Sequence, residues 1–305
     1  MMREREPQTW TISNERAILL DRPFLMGILN ITPDSFSDGS QYNDPGQAVA
    51  RAQRMLEEGA DLLDVGGEST RPGAQRIDAE EQIRRVVPVI QGIRAAGIWL
   101  PISIDTTLGE VARAALDAGA DIINDVSAGL EDDAMLGLAA ETGCGLILMH
   151  RELPPDEDRY SDRYEQAPVS GSVTDRVVGA LRVALLGANR AGVASDRVML
   201  DPGLGFGKDV SQNLELIETT PKLRSLGCPV LSGLSRKSFV GRVGLGRDSD
   251  PGERLPATLA LSVLHLQRGA RCFRVHDVAP HRQALDAAWA LLSRQSVDWC
   301  PSAGE

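Results

Sequence analysis

The sequence predicts an α/β fold, a single (β/α)8 TIM barrel whose bottom is closed by an N-terminal β-hairpin. First, short apolar runs alternate about eight times with longer segments of helical periodicity, as in βα units around a parallel sheet. Second, these runs carry Val, Ile and Leu without polar alternation, which is typical of strands buried on both faces. Third, Gly-Ala-Asp recurs at 59–61 and 119–121, where glycine can end a helix before the chain returns to the sheet.

Chain length leaves two architectures open. The 305 residues suit one α/β barrel, and an open, doubly wound sheet is the alternative. Eight units within about 270 residues favour the closed barrel. We therefore predict a hairpin cap at residues 1–24, a barrel at 25–295 and a frayed tail at 296–305.

The elements follow in chain order. The runs Thr9–Ile12 and Ala17–Leu20 flank three polar residues and predict the hairpin, which would plug the mouth at the amino ends of the strands. Amphipathic periodicity predicts helices over Pro45–Glu58, Ala79–Ala95 and Val173–Ala191. The barrel strands are predicted at Leu25–Leu29, Leu62–Val65, Ile102–Ile104, Ile122–Ile123, Leu146–Met149, Val198–Leu200, Val230–Leu231 and Cys272–Val275.

Charge and cysteine usage narrow the class of protein. With 32 Lys and Arg against 43 Asp and Glu, the net charge is −11. A net negative charge does not attract the phosphate backbone of a nucleic acid. An anionic ligand must therefore meet a local cluster of cations. The four cysteines form no Cys-x-x-Cys pair, and no apolar run approaches the roughly 18 residues of a membrane span. We expect a cytoplasmic protein with small-molecule substrates and no nucleic-acid or membrane partner.

The unusual polar residues follow the predicted strands, at the carboxyl ends where barrel enzymes assemble their sites. Each unit contributes at least one of them, so we expect these side chains to converge. The blocks are Asn30–Phe36, Asp64 with Glu68–Gly73, Asp105, Asn124–Asp125, His150, Asp201–Lys208, Ser235–Ser238 and Arg274–Asp277.

Several of these blocks resemble the dihydropteroate synthase family of folate biosynthesis. The strongest are Met26–Gly39, which reads MGILNITPDSFSDG, and Asp64–Gly73, which reads DVGGESTRPG. Long blocks in the right order are more specific than one short motif. The resemblance runs from about Met26 to Ala290, and its other blocks are Ser103–Thr106, Ile123–Val126, Leu148–His150, Asp201–Lys208, Ser235–Phe239 and Arg274–Val278.

The resemblance implies an enzyme that joins 6-hydroxymethyl-7,8-dihydropterin diphosphate to p-aminobenzoate and releases diphosphate, with Mg²⁺ present. It implies a homodimer and a barrel that binds pterin. It assigns the pterin to Asp105, Asn124, Met149, Asp201 and Lys237, and the diphosphate to Asn30, Arg71, Arg274 and His276. It assigns p-aminobenzoate to Phe36, Pro72, Phe206 and Ser238, catalysis to Asp34, Thr70, Arg71 and Lys237, and the metal to Asn30.

The chain departs from the family after His150. The family usually continues with a short glycine-containing turn, whereas residues 151–172 are rich in Pro, Asp, Glu and Arg and predict a long exposed loop.

Two other functions stay open. A pterin-binding methyltransferase domain would lack the set formed by Ser235–Ser238 and Arg274–His276, and a silent paralogue would bind pterin without catalysis.

Overall fold

The structure is a computed structural model that describes residues 8–31 and 45–293. Two strands form a separate antiparallel hairpin, β1 (Gln8–Thr11) and β2 (Ala17–Leu20). The predicted tail at 296–305 lies outside the described residues. The strands of the main sheet are β3 (Phe24–Asn30), β4 (Leu62–Gly66), β5 (Ile102–Asp105), β6 (Ile122–Asp125), β7 (Gly145–Met149), β8 (Val198–Asp201), β9 (Leu231–Ser232) and β10 (Cys272–Val275).

The main sheet is an eight-stranded parallel barrel. Its order is β8-β7-β6-β5-β4-β3-β10-β9, and a parallel bridge between Leu200 and Val230 joins the two ends. This closure confirms the predicted TIM barrel over the open sheet. Seven strands overlap the predicted runs closely, whereas the run Val230–Leu231 supplies the bridge and then the first residue of the short β9.

Helices connect the strands on the outside of the barrel. The three helices predicted from periodicity are confirmed, the first ending one residue earlier than expected. Side-chain caps explain several starts: Asp78 accepts the Glu81 N–H, and Ser172 accepts the Asp175 N–H. The helices are α1 (Pro45–Glu57), α2 (Ala79–Ala95), α3 (Gly109–Asp117), α4 (Ala134–Thr142), α5 (Val173–Ala191), α6 (Val210–Glu218), α7 (Thr220–Arg224), α8 (Ser238–Leu245), α9 (Leu255–Arg268) and α10 (Val278–Ser293).

The hairpin closes the bottom of the barrel, as predicted. Its buried side chains form one apolar cluster with residues near the amino ends of the barrel strands, among them Met26, Leu62 and Met199. Trp10 is fully buried there, and its Nε1 donates to the carbonyl of Arg197 at 2.9 Å. This cluster fills the lower half of the barrel, so the open half is the one at the carboxyl ends of the strands.

The loop at 151–172 differs from the exposed segment predicted. It contains a short 3₁₀ helix at Ser161–Arg163, and both Asp158 and Ser161 are buried. The difference arises because their side chains accept hydrogen bonds from Gly207 and Asn213, contacts that sequence periodicity does not predict.

None of the helices within residues 8–31 and 45–293 is long and apolar enough to cross a membrane.

Candidate active site

A cavity of about 510 Å³ opens at the carboxyl ends of the barrel strands. Its walls come from the ends of β3 and β10 and from the loops after β4 and β9, so distant parts of the chain meet there. Eight predicted site residues line it: Asn30, Thr70, Arg71, Pro72, Lys237, Ser238, Arg274 and His276. Asp34 and Phe36 lie outside the described residues.

The cavity lining is rich in cationic side chains although the protein carries a net charge of −11, and three of these cations, Arg85, Arg236 and Arg274, pair with carboxylates outside the lining. Among the described residues that line it, Glu68 is the single carboxylate. Low-dielectric walls concentrate the field of cations, so this lining attracts anions. The cationic side chains are Arg71, Arg85, Arg236, Lys237, Arg254 and Arg274.

Buried acceptors lie directly behind Arg274. Its Nε donates to Asp64 Oδ2 at 2.6 Å and its Nη2 to Asp105 Oδ2 at 2.7 Å. Asn124 Nδ2 in turn donates to Asp64 Oδ1 at 3.3 Å. Burial raises the pKa of Asp105 even beside Arg274, and Asp105 Oδ1 is buried without a hydrogen-bond partner in the described part of the chain. This oxygen is therefore a buried acceptor whose hydrogen-bonding capacity the described residues leave unused.

Lys237 and Asp201 form the second polar group of the site. The Lys237 Nζ lies 3.8 Å from the centre of the Phe206 ring, and Asp201 Oδ1 accepts the Gly203 N–H at 2.7 Å. Burial lowers the pKa of Lys237 to about 8 and raises that of Asp201 to about 6. At neutral pH the ammonium and the carboxylate are both charged, so the group presents a donor and an acceptor.

The loop after β8 is held by a fully buried lysine, Lys208. Its Nζ donates to the carbonyls of Gly203 at 2.9 Å, Phe206 at 2.8 Å and His150 at 3.3 Å. The loop leaves no room for larger residues, because a Cβ on Gly205 would lie 2.8 Å from Lys237 Cδ. Lys208 therefore fixes the loop against which the Lys237 side chain packs.

His276 is a neutral hydrogen-bonding group of the cavity lining. Burial and the nearby Arg274 lower its pKa to about 3, so the imidazole is neutral at physiological pH. Its Nδ1 lies 3.1 Å from Ser235 Oγ, and its backbone N–H donates to the same oxygen at 3.2 Å. His276 and Arg274 both line the cavity, and of the two only Arg274 is a cation at physiological pH.

Five predicted residues lie behind the cavity lining instead of in it. Asp105 and Asn124 connect to the lining through Asp64 and Arg274, as described above. Asp201 lies against Gly233, where a Cβ would be 3.3 Å from Asp201 Oδ2. The other two, Met149 and Phe206, form a small apolar cluster with Val126 that is separate from the main core.

Sequence reasoning gave no individual role to Asp64 and Lys208, and it named Ser235 only as part of the set that a methyltransferase would lack, although all three fall within the motif blocks. Asp64 had a detectable signal, because a charged residue inside the apolar run Leu62–Val65 must find a partner when the strand is buried. Lys208 and Ser235 carry no such signal, since each lies in a loop where a polar residue is ordinary.

The residues present fit a magnesium ion that is shared with a ligand. Within residues 8–31 and 45–293, no group of three His, Cys, Asp or Glu side chains could hold a metal alone. Asn30 brings an amide group to the cavity. Mg²⁺ is commonly bound through one or two carboxylates together with substrate phosphates and water, so here Asn30 would supply a neutral amide oxygen and the phosphates and water the remaining ligands.

Known proteins share this sequence and fold. The profile of a family described as pterin binding enzyme matches residues 26–276. A dihydropteroate synthase from Streptococcus pyogenes serotype M6 is 46% identical over 254 residues, which cover 83% of this chain and 90% of the relative. The chain belongs to the dihydropteroate synthase family.

Two other members of the dihydropteroate synthase family extend the comparison. A probable bifunctional folylpolyglutamate synthase/dihydropteroate synthase from Haloferax volcanii is 45% identical over 88% of this chain, which spans 31% of that longer protein. The Xanthomonas albilineans dihydropteroate synthase has been solved with 4-aminobenzoic acid. That structure has a TM-score of 0.84 and 42% identity, covering 94% of this chain and 99% of the other. These findings confirm the predicted family, fold class and transferase function, whereas the roles of individual residues stay predictions.

Proposed function

We infer that this chain joins 6-hydroxymethyl-7,8-dihydropterin diphosphate to 4-aminobenzoate, forming dihydropteroate and releasing diphosphate. The observation that carries the inference is one cavity in which a basic lining meets buried carboxylates. The X. albilineans relative supports it, since the structure of that enzyme has been solved in complex with 7,8-dihydropteroate. Compared with this chain, that structure has a TM-score of 0.79 and 41% sequence identity, and the match covers 91% of this chain and 97% of the other.

The pterin lies at the inner end of the cavity in this proposal. Its amino-pyrimidine edge carries adjacent N–H groups, which Asp105 and Asp201 accept, while Asn124 adds an amide donor and acceptor. Lys237 donates to the pterin carbonyl and the neighbouring ring nitrogen. Met149 covers part of the flat ring with apolar surface.

The diphosphate lies against the basic lining. Arg71 supplies positive charge, and Arg274 does so in part, because Asp64 and Asp105 already offset its charge. The neutral His276 donates a hydrogen bond. Charge grows on the diphosphate oxygen as the carbon–oxygen bond breaks, so preorganised donors at this position lower the barrier.

The reaction needs no protein nucleophile. The methylene–oxygen bond breaks with its electron pair leaving on diphosphate, and the lone pair of the amine forms the new carbon–nitrogen bond before the nitrogen loses a proton. The electron-rich pterin stabilises the cationic methylene, so we propose a loose transition state. Thr70, Pro72 and Ser238 line the region where the amine enters, and they help to exclude water from the cation.

Magnesium belongs to this proposal as the partner of Asn30. When bound, it would neutralise charge on the diphosphate and make it a better leaving group. If the proposal is correct, removing divalent cations with EDTA abolishes product formation, and Mg²⁺ restores it. The Asn30→Ala variant should need a higher Mg²⁺ concentration for half-maximal activity. An unchanged Mg²⁺ requirement in that variant would exclude Asn30 as the ligand.

Product formation by the purified chain is the direct test of function. Dihydropteroate should form from the two substrates and be absent when either is omitted. A methyltransferase would instead transfer a methyl group from a folate, and a silent paralogue would bind pterin and give no product. The presence of Ser235, Lys237, Arg274 and His276 around one cavity favours the synthase over the methyltransferase.

We also propose that the protein is a cytoplasmic homodimer. Four exposed apolar side chains lie on the adjacent helices α8, α9 and α10, a surface that a second copy would cover: Val243, Leu245, Leu264 and Leu291. Cys144, Cys228 and Cys272 are free and buried, as suits a reducing compartment. Light scattering should give twice the chain mass, and Leu264→Glu should give the monomer.

A further inference from the structure

Tyr160 is a cavity residue that lies outside every motif block. It comes from the loop at 151–172, and it lines the cavity together with Ser238, Pro251 and Arg254. The residue is 45% exposed, which places its ring at the rim between cavity and solvent. A tyrosine at a rim offers a rigid apolar face and one hydroxyl to a ligand.

Two buried residues hold the backbone on both sides of Tyr160. On one side, Asp158 Oδ2 accepts the Gly207 N–H at 2.8 Å, and its Oδ1 accepts the Tyr164 hydroxyl at 2.6 Å. On the other side, Ser161 Oγ accepts Asn213 Nδ2 at 3.1 Å. The loop is thus fixed to the segment that carries Phe206, although its composition suggests a free surface loop.

Ion pairs also connect this loop to α8 through Asp248. Arg163 pairs with Asp248 at 2.7 Å, and Asp248 also accepts Arg242 of α8 at 2.7 Å. These side chains are exposed, so each pair contributes little stability by itself. Together they set the position of the loop relative to α8, whose first residue is Ser238.

We propose that Tyr160 is a specificity-determining residue that contacts the para substituent of the aromatic amine at the cavity rim. The proposal rests on the synthase function above. The amine nitrogen must point inward to reach the pterin methylene, which lies near Lys237 and Arg274. The group para to it must then point outward, towards the rim that Tyr160 and Ser238 share.

The test compares two amines of different length, 4-aminobenzoate and 4-aminobenzoylglutamate, with Tyr160→Ala, Tyr160→Phe and wild type. Loss of one aromatic contact corresponds to about a 3- to 10-fold change. We expect Tyr160→Ala to raise the KM for 4-aminobenzoate by that factor with little change in kcat. The ratio of kcat/KM between the two amines should shift at least about threefold. Tyr160→Phe, which keeps the ring, should stay near wild type.

Gln166→Ala is the matched control, because Gln166 is an exposed neutral residue of the same loop that does not line the cavity. If Tyr160→Ala fails to fold, Tyr160→Leu tests the same aromatic contact. An unchanged amine ratio and KM in the folded variant would overturn the role of Tyr160 and leave the synthase function intact. Absence of dihydropteroate from wild type would overturn the synthase function, and this inference with it.

Discussion

At the scale of single residues, burial shifts the pKa values of the polar groups at the cavity. Asp201 is buried, and its carboxylate has one fixed backbone donor, the Gly203 N–H. Desolvation favours the neutral form and raises the pKa to about 6, while Lys237 is shifted in the opposite direction to about 8. The window in which both are charged is therefore narrow and centred near neutrality.

We expect Asp201→Asn to weaken the binding of a pterin analogue by about 10- to 100-fold, the cost of leaving one buried hydrogen-bonding group unpaired. Diphosphate binding should change little, since Asp201 does not line the basic part of the cavity. Isothermal titration calorimetry with each ligand measures both effects. Asp117→Asn, an exposed carboxylate on α3, serves as control. Equal pterin affinity in Asp201→Asn and wild type would remove Asp201 from the pterin site.

The pH dependence of kcat/KM should be bell-shaped. As pH falls through about 7 and then about 6, Asp105 and Asp201 gain protons and stop accepting from the pterin. As pH rises through about 8, Lys237 loses the proton that it donates. Steady-state rates from pH 5 to 9.5 would show both limbs. Lys237→Arg keeps its charge at high pH, so its alkaline limb should move above the measured range. A Lys237→Arg profile with the wild-type alkaline limb would assign that limb to another group.

At the scale of elements, the loop after β8 depends on backbone conformations that only glycine adopts easily. Gly205 has φ +81° and faces Lys237 Cδ, whereas Gly227 has φ +91° and has open space around it. At both positions, a residue with a Cβ would cost about 1–2 kcal/mol, because the backbone is in the left-handed conformation. Only the first adds a steric conflict with a site residue.

We predict that Gly205→Ala and Gly227→Ala both lower thermal stability, Gly205→Ala by at least as much, while only Gly205→Ala reduces kcat/KM, by at least about tenfold. The loss follows because an intruding methyl group displaces Lys237 from its position over Phe206, and small misplacements at a reacting centre are costly. Differential scanning calorimetry and steady-state kinetics separate the two effects. Equal activities in the two variants would show that the Lys237 side chain adjusts freely.

The hairpin should contribute stability without contributing to chemistry. Trp10→Ala removes a fully buried ring and its bond to the Arg197 carbonyl, so we expect a loss of about 3–5 kcal/mol in the free energy of unfolding. Leu19→Ala, at a half-exposed position of the same hairpin, should change it by about 0.5 kcal/mol or less, as is usual for surface sites. Urea unfolding provides both values. A large loss of kcat in folded Trp10→Ala would contradict the separation of the two barrel ends.

At the scale of the whole molecule, buried neutral histidines make stability depend on pH. His265 is fully buried, and burial lowers its pKa to about 3, well below the usual value of 6.5. The unfolded chain therefore takes up the proton first when pH falls below about 6.5, so stability is full above that pH and declines below it. Asp201 acts in the opposite sense because its folded pKa is raised.

Replacing His265 isolates the contribution of this residue to the pH dependence of the free energy of unfolding. Between pH 7 and pH 5 the stability advantage of wild type over His265→Gln should shrink by about 2 kcal/mol, from linkage applied to one group. Urea unfolding at several pH values gives the free energy of unfolding of both proteins. Because the carboxylates are the same in both, their contributions cancel in the difference. A constant difference across this range would mean that His265 titrates normally in the folded protein.

Local patterns were enough to predict much of this protein. Apolar runs without polar alternation reflect strands buried on both faces, so eight of them separated by helical segments predicted the barrel. The hairpin and helices α1, α2 and α5 followed from periodicity in the same way. The motif blocks placed eight predicted residues around one cavity, because parallel strands bring their carboxyl ends to the same face.

Other features depend on contacts between distant residues, which leave no local signal. Arg274 bonds to Asp64 across 210 positions and to Asp105 across 169, and this pairing offsets part of the charge of Arg274. The shifted pKa values of Asp201, Lys237 and His276 arise from burial, which only the folded chain creates. The loop at 151–172 has the composition of a free segment, yet Asp158 fixes it to the Gly207 N–H and brings Tyr160 to the cavity. The sequence thus determines which elements form and which ends of the strands carry chemistry, while tertiary packing determines the charge states and the partners of each side chain, because desolvation and long-range pairing exist only once the barrel has closed.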